Sequence, residues 1–434
     1  MKPVVRENAE QQENTNPLVN YQKLRQLEEK HGTSFYIMDA SKLRRNYRKI
    51  ERAFKSRYEN FIIGYSYKTN YLPVLCKELS KAGAYAEVVS RLEYDLAVKI
   101  GEDPKRIIFN GPFKTQDDIE HALYHGSLLN IDSLYEIDVI KQYCLKNKKK
   151  QYKVGLRLNF DVSEDGRSAL QEGYEKSRFG LCVQNGVLER TLDELAAIPN
   201  IEVAGLHGHF STKSRSVHAY RQITQKLCRI AKEHITHTLE YIDIGGGIYG
   251  ELPATFHRET PSFDDYAEAV CAIMNREFEF FEKKPNLILE PGISMVANTF
   301  VFFAKVMDVK KVADKKIVLV DGSIHHVKPT MHKNNLPMNI IRKSEQHEEG
   351  DETLFDVVGY TCMEKDYLAD ELKRPLPETG DYIMFENVGA YSIVFHPPFI
   401  KERPAIVAVD HETIFTARRK ETFKEFFNED LYVF

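Results

Sequence analysis

The 434-residue chain has no tryptophan, and of its six cysteines (Cys76, Cys144, Cys182, Cys228, Cys271 and Cys362) no two form a CxxC pair. Cysteines so scattered exclude a paired-thiol zinc site and a disulfide framework, and most of them read as small apolar fillers. No apolar run reaches the length that spans a bilayer. The leading stretch MKPVVRENAEQQENTNP lacks the apolar core of a signal peptide, which predicts a cytoplasmic protein. A basic excess is also missing: the formal net charge is −4. Neither nucleic acid nor a membrane surface is therefore expected as a partner. No internal repeat is visible. What the chain does have is apolar material, 42% of its residues, enough for more than one small core.

That material is arranged in two patterns. Residues 1–34 read as an N-terminal extension, disordered as far as about Pro17 because it is polar and aperiodic. Over 35–295, short apolar runs such as FIIGYSYK, YAEVVS, RIIFNG, SLLNID, YKVGLRLN, VAGLHGHF, LEYIDIGGG and NLILEPG alternate with amphipathic stretches such as YLPVLCKELSKAG and YRQITQKLCRIAKEH. About eight such βα units predict an α/β fold of the (β/α)8 TIM-barrel type. From 296 to 434 the runs TFVFFAKVMDVKKV, KKIVLVDGS, LFDVVGYTC, DYIMFENVG and RPAIVAV follow one another without long helices. They predict a C-terminal antiparallel β-domain, with RKSEQHEEGDET as a charged surface loop.

In a barrel, polar residues at the C-terminal ends of the strands face the active site. Lys68 ends one apolar run, in GYSYKTNYLPVL. Desolvation there would lower its pKa and make the ε-amine a nucleophile suited to imine formation; alone, the same residue reads as a snorkelling surface lysine. Asp243 to Gly247 (DIGGG) closes another strand with glycines that let backbone N–H groups approach a phosphate. HGHFST contributes His207, His209, Ser211 and Thr212, which suit ring stacking and phosphate binding. Glu290, in EPG, offers a carboxylate that would keep a ring nitrogen protonated. Glu87 and Arg157 lie near strand ends and either pair with each other or line the site. A lysine for an imine, a phosphate cradle, a stacking ring and an acid at a ring nitrogen are together the requirements of pyridoxal 5'-phosphate.

The order YSYKTN, GAYAEVVSRLEYDLAVKIG, GLHGHFST, DIGGG, EPG, YTCMEKD and GAYS resembles that of fold-type III pyridoxal-phosphate decarboxylases, the diaminopimelate and ornithine decarboxylase family. The resemblance runs from about Ser34 to Val409. It implies a barrel resembling that of alanine racemase, a β-domain, and a head-to-tail homodimer with active sites at the interface. By motif, Lys68 would carry the cofactor, His209 would stack on its ring and Glu290 would pair with the ring nitrogen. Thr212, Gly245, Gly246, Gly247 and Tyr391 would hold the phosphate, and Glu87 and Arg157 would line the site. From the facing subunit Cys362 would return a proton to Cα, with Asp366 reaching the substrate.

The chain departs from the family at the substrate end. Ile293 stands where EPGR carries arginine, and Cys362-Met363-Glu364 replaces the Cys-Glu-Ser of diaminopimelate enzymes, leaving Glu364 one position late. The His325-His326 pair, with NLPM beyond it, resembles a branch acting in siderophore and specialised-metabolite biosynthesis on acylated or citrate-conjugated amino acids. His325, His326, Lys328 and His332 would bind an acidic extension of that kind. Their spacing matches no strand or helix face, so no metal site is expected there. The expected activity is α-decarboxylation of such a conjugate. A diaminopimelate or ornithine/lysine-type decarboxylase is the alternative; an amino-acid racemase or a non-catalytic regulatory homologue ranks behind both.

Overall fold

The computed structural model describes residues 20–253, 256, 258–344 and 352–434. The Met1–Pro17 stretch expected to be disordered lies outside the described residues, as does 345–351 of the charged loop. Eight parallel strands close a barrel. They are β2 (Phe61–Ser66), β3 (Tyr85–Val88), β4 (Ile107–Phe109), β5 (Leu128–Ile131), β6 (Tyr152–Asn159), β7 (Ile201–His207), β8 (Tyr241–Asp243) and β9 (Asn286–Leu289). Each pairs with its successor, β6 with β7 included, and β9 returns to β2. The ring leaves no open sheet edge.

The helices between the strands are cut by local signals. In α2 (Ala40–Lys55) Leu43, Tyr47, Ile50 and Phe54 recur at helical spacing and are buried, while Asp39 caps the N-terminus by accepting from Lys42 N at 2.7 Å. Burying each of these side chains is worth roughly 1.5–3 kcal/mol. α3 (Pro73–Ala82) begins on proline and ends at Gly83, whose φ of 114° is a left-handed cap. Thr115 and Asp118 form a capping box on α4 (Gln116–His125).

The strand β1 (Ser34–Asp39) corrects the domain boundary read from sequence. It lies outside the barrel, between β10 (Phe300–Val312), antiparallel to it, and β16 (Ala405–Asp410), parallel to it. The β-domain therefore contains both early and late chain. The N-terminal extension is also structured from α1 (Tyr21–His31), whose Leu24 and Leu27 pack on Phe35, Ile37, Phe303 and Val407. The sheet is completed by β11 (Lys315–Val320), β12 (Met338–Ile341), β13 (Glu352–Val358), β14 (Tyr367–Pro375), β15 (Tyr382–Glu386) and β17 (Thr413–Arg418). It is mixed, since β11 also pairs in parallel with β13. No helix among the described residues is long and apolar enough to cross a membrane.

Two loops at the barrel mouth are clamped by a buried ion pair. Lys114 Nζ lies 3.0 Å from Glu136 Oε2, both side chains are fully buried, and Nζ also donates to Gly111 O at 2.8 Å. Glu136 Oε1 accepts from the backbone of Asp132 and Ser133 at 2.9 and 3.0 Å. Burial pushes the Glu136 carboxyl above its usual range, with Lys114 opposing. Removing one partner strands a charge, whereas removing both leaves an apolar contact. Lys114→Met should therefore destabilise the protein by about 3–5 kcal/mol and Lys114→Met with Glu136→Leu by much less. Equal losses for the two variants in urea unfolding would contradict that account.

Candidate active site

Register brings the strand ends to one level. Ser66 lies beside Glu87, His207 beside Arg157 on one side and Asp243 on the other. Beyond β2 a single 3-10 turn, Tyr67–Thr69, bends the chain so that Lys68 Nζ reaches Glu87 Oε2 at 2.6 Å. Ser66 Oγ donates to the same oxygen. The turn is anchored from the β-domain: Asn70 Nδ2 donates to Gly389 O at 2.9 Å and Tyr391 N to Thr69 O at 2.9 Å.

The electrostatics differ from the reading of Lys68 as an amine with a lowered pKa. Burial does pull the ammonium down, but Glu87, Glu290 and Tyr391 more than offset it, and the pKa rises above that of a free lysine. Lys68 is thus held as a cation in partnership with Glu87. Glu87 and Arg157 do not pair with each other; Arg157 Nη1 instead meets Asp132 Oδ2 at 3.0 Å, and Nη2 donates to His209 O at 3.3 Å.

Glu290 follows β9. Its Oε1 accepts from Asn110 Nδ2 at 2.5 Å and its Oε2 lies 3.4 Å from His207 Nε2. Burial raises its pKa, but His207, Lys68 and His209 outweigh that, so the carboxyl stays ionised well below the usual range. Asp243 goes the other way, pushed well above the usual range by burial and by Glu290. The two acids divide the roles, one charged and one protonated. Donor atoms of His207, Asp243 and Glu290 lie within 4.8 Å of one another, a trio whose types also suit a cation. A cation there would compete with the proton on Asp243.

His209 is pushed down to about 3 by burial, Arg157 and Lys68, so its ring is neutral. Its Nδ1 accepts from Gly246 N at 2.9 Å, which fixes the ring against the glycine turn. That turn demands glycine twice over. Gly245 and Gly247 have φ of 68° and 98°, and a Cβ on Gly246 would fall 2.0 Å from Glu290 O. Thr212 Oγ1 and Ser294 Oγ are buried hydroxyls with no hydrogen-bond partner among the described residues.

The remaining sequence candidates divide. Cys362 and Glu364 are exposed on the turn before β14, and no contact among the described residues links them to Lys68. Asp366, expected to reach the substrate, is buried and accepts from Ile324 N, Thr361 N and Thr361 Oγ1 at 2.7, 3.0 and 2.6 Å. With three donors on it, Asp366 shapes the loop carrying Cys362. His326, expected at the substrate, is a core residue instead. Its Nδ1 accepts from Ser323 N at 3.0 Å and its ring packs on His396 and Phe302. His325 is half-buried, 6.1 Å from the Phe399 ring. Lys328 is buried without an ion pair among the described residues, and burial lowers its pKa while Asp370 opposes. Asn110, Asp132 and Ser294 were missed by sequence reasoning; the first two end the apolar runs RIIFNG and SLLNID as Lys68 ends its own, which is the signal that was there.

Comparison with known proteins gives this constellation its family. Residues 40–297, more than half of the chain, match the family described as pyridoxal-dependent decarboxylase, pyridoxal binding domain. A diaminopimelate decarboxylase of Methanocaldococcus jannaschii is 27% identical over 415 residues, 94% of this chain and 93% of that protein. A probable chloroplastic diaminopimelate decarboxylase of Oryza sativa is 29% identical over 91% of this chain and 79% of its own length. The M. jannaschii diaminopimelate decarboxylase crystallised with L-lysine superposes with a TM-score of 0.85, 26% identity and 94% coverage of both chains. The lysine/ornithine decarboxylase of Vibrio vulnificus, at 20% identity over 90% of this chain and 98% of that one, shares the fold with a TM-score of 0.71. The cofactor that the family takes fits the residues present: an accessible lysine, a neutral flat ring, a glycine turn no Cβ could enter, unpartnered buried hydroxyls and an ionised glutamate. The chain therefore belongs to the pyridoxal-dependent decarboxylases, carboxy-lyases that act on amino acids with pyridoxal phosphate.

Proposed function

We propose that this protein removes the α-carboxylate of a free diamino acid of the diaminopimelate, lysine or ornithine type, at a site completed by a second copy of the chain. The observation that carries the reading is the Lys68–Glu87 pair at 2.6 Å beside an ionised Glu290, at the barrel end where such chemistry sits. The diaminopimelate decarboxylases that match more than nine-tenths of the chain support the substrate class.

Bound pyridoxal phosphate supplies the electron sink for the bond to the departing carboxylate. Lys68 anchors it, and Glu87 is placed to take the proton that Nζ must lose before acting as a nucleophile. Glu290 would keep the ring nitrogen protonated, and the neutral ring of His209 would line the ring without adding a positive charge. Gly245, Gly246, Gly247, Thr212 and Tyr391 would hold the phosphate, joined by Ser294. Arg157, fixed by Asp132, lines the wall. Cys362 of the facing subunit returns the proton to Cα on a loop that Asp366 shapes.

A second reading, in which the substrate is an acylated or citrate-conjugated amino acid, is favoured by specific residues. Ile293 and Met363 remove the arginine and the acid that would meet a diaminopimelate molecule, while Lys328 is a buried lysine without an ion-pair partner among the described residues. Such changes suit a siderophore or specialised-metabolite intermediate with an acidic extension. Carbon dioxide release separates the readings: the holoenzyme is given meso-diaminopimelate, L-lysine, L-ornithine and a citryl-diamino acid in turn. Release from a free diamino acid is expected, release only from the conjugate would transfer the assignment to the second reading, and release from none would refute both.

Lys68→Ala should abolish the visible absorbance of bound cofactor, and retention of the band after dialysis would remove Lys68 from its role. Glu290→Gln, which keeps shape but not charge, should lower kcat by about 10²–10³-fold. The shared site is checked by mixing Lys68→Ala and Cys362→Ala chains, each inactive alone. Random pairing restores one intact site per mixed dimer, about a quarter of wild-type sites. No recovery after subunit exchange would place Cys362 outside the site.

A further inference from the structure

Three side chains inside the barrel, Tyr241, Asn130 and Asn110, form a hydrogen-bonded series ending on both carboxylates of the site. Tyr241 OH donates to Asn130 Oδ1 at 2.7 Å, and Asn130 Nδ2 donates to Asn110 Oδ1 at 2.8 Å. Asn110 Nδ2 then donates to Glu87 Oε1 at 3.1 Å and to Glu290 Oε1 at 2.5 Å. All three residues are buried.

The series has a direction. A tyrosine hydroxyl has one proton, and here it goes to Asn130 Oδ1. That leaves Asn130 its amide nitrogen to offer Asn110, whose own nitrogen is thereby turned toward the carboxylates. Were Asn110 reversed, its carbonyl oxygen would face two carboxylate oxygens. Side-chain amides do not carry protons along at neutral pH, so the series is a set of fixed dipoles rather than a proton path.

The barrel is shaped around it. Asn130 pairs in register with Gly155, and Tyr241 with Gly205. A Cβ on Gly155 would fall 2.0 Å from both Asn130 Oδ1 and Tyr241 Oη, and one on Gly205 would fall 2.3 Å from the Tyr241 ring. Two strands therefore lack side chains at the level where the tyrosine and the asparagine meet.

We propose that Tyr241 and Asn130 are positioning residues which, through Asn110, aim and fix Glu87 toward Lys68 and Glu290 toward the cofactor ring. The inference rests on the reading of Glu290 as the partner of the ring nitrogen. Charged and titratable groups already face these acids: Lys68 and Arg157 as cations, His207 and His209 as rings, and Asp243 and Glu93 as further acids. None of them meets both carboxylates with one amide. Donors to a carboxylate favour its charged form, so losing Asn110 must raise the pH at which Glu290 takes up a proton.

The test is a pH titration of the visible absorbance of bound cofactor, which needs no turnover, in wild type, Asn110→Leu and Tyr241→Phe. Asn110→Leu should move the acid limb upward by about one pH unit, a tenfold change in proton affinity, and lower kcat more than it changes KM. Tyr241→Phe, which deletes one hydroxyl, should move the same limb in the same direction by less. A general loss of packing would lower activity at every pH without moving the limb. Both limbs at the wild-type position would overturn the proposal. If Asn110→Leu does not fold, an unmoved limb in Tyr241→Phe does so alone. A wild type that shows no visible band refutes the cofactor reading itself. One that shows the band but releases no carbon dioxide refutes only the decarboxylation, and the titration still decides the positioning role.

Discussion

Everything at the barrel mouth follows from keeping a carboxylate charged away from water. Glu290 is buried, and burial alone would protonate it. Lys68, His207 and His209 reverse that, and Asn110 adds a donor at 2.5 Å. Asp243 absorbs the cost of the arrangement by remaining protonated beside its neighbour. Without an ionised Glu290 the ring nitrogen of a bound cofactor would have no acid partner. Without Glu87 the half-buried lysine would lose its ion-pair partner. The two acids hence determine which residues can surround them: two cations, two imidazoles and one bridging amide.

Much of this was legible in the sequence, for a physical reason. In a parallel barrel the functional side chains sit at strand C-termini, so Lys68, Glu87, Arg157, His207, Asp243 and Glu290 each interrupt an apolar run. The eight-strand ring was readable because every strand pairs with its neighbour in the chain's own order. What could not be read depends on distant pairing. SFYIMD looks like a barrel strand, and only its pairing with Ala304 and Ala405, far along the chain, places it in the β-domain. The mixed character of the sheet was hidden likewise. His326 and Asp366 read as exposed because polar residues in a loop-like segment do, whereas the fold buries both with backbone donors on them. Tyr241, Asn130 and Asn110 gave no sign that they touch, since three strands contribute one each.

The substrate end is where the chain and its relatives part. The barrel residues that bear on the cofactor answer one constant chemistry, and the motifs that carry them stand in the order the family resemblance rests on. On the proposed function, Ile293, Met363 and Lys328 would answer to whatever lies beyond Cα. A pocket without an arginine lacks a forked hold on a carboxylate, and a lysine in its stead would supply charge of a different geometry, a point rather than a fork. Such an exchange alters which substrate is bound without touching the bond that breaks.

The β-domain has a part in the chemistry that its separateness in sequence conceals. Lys68 lies on a turn of three residues, too short to hold a side chain in place by itself. Asn70 and Thr69 reach across to the backbone of Gly389 and Tyr391, and Gly389 can sit there only because a Cβ would fall 1.9 Å from Val296 O. Tyr391 follows with φ of 58°, a conformation costly for a bulky residue and retained only where its surroundings impose it. The lysine is consequently braced from two domains, by Glu87 on the barrel and by this backbone on the sheet. A shift of one domain against the other would strain both hydrogen bonds that anchor the turn carrying Lys68.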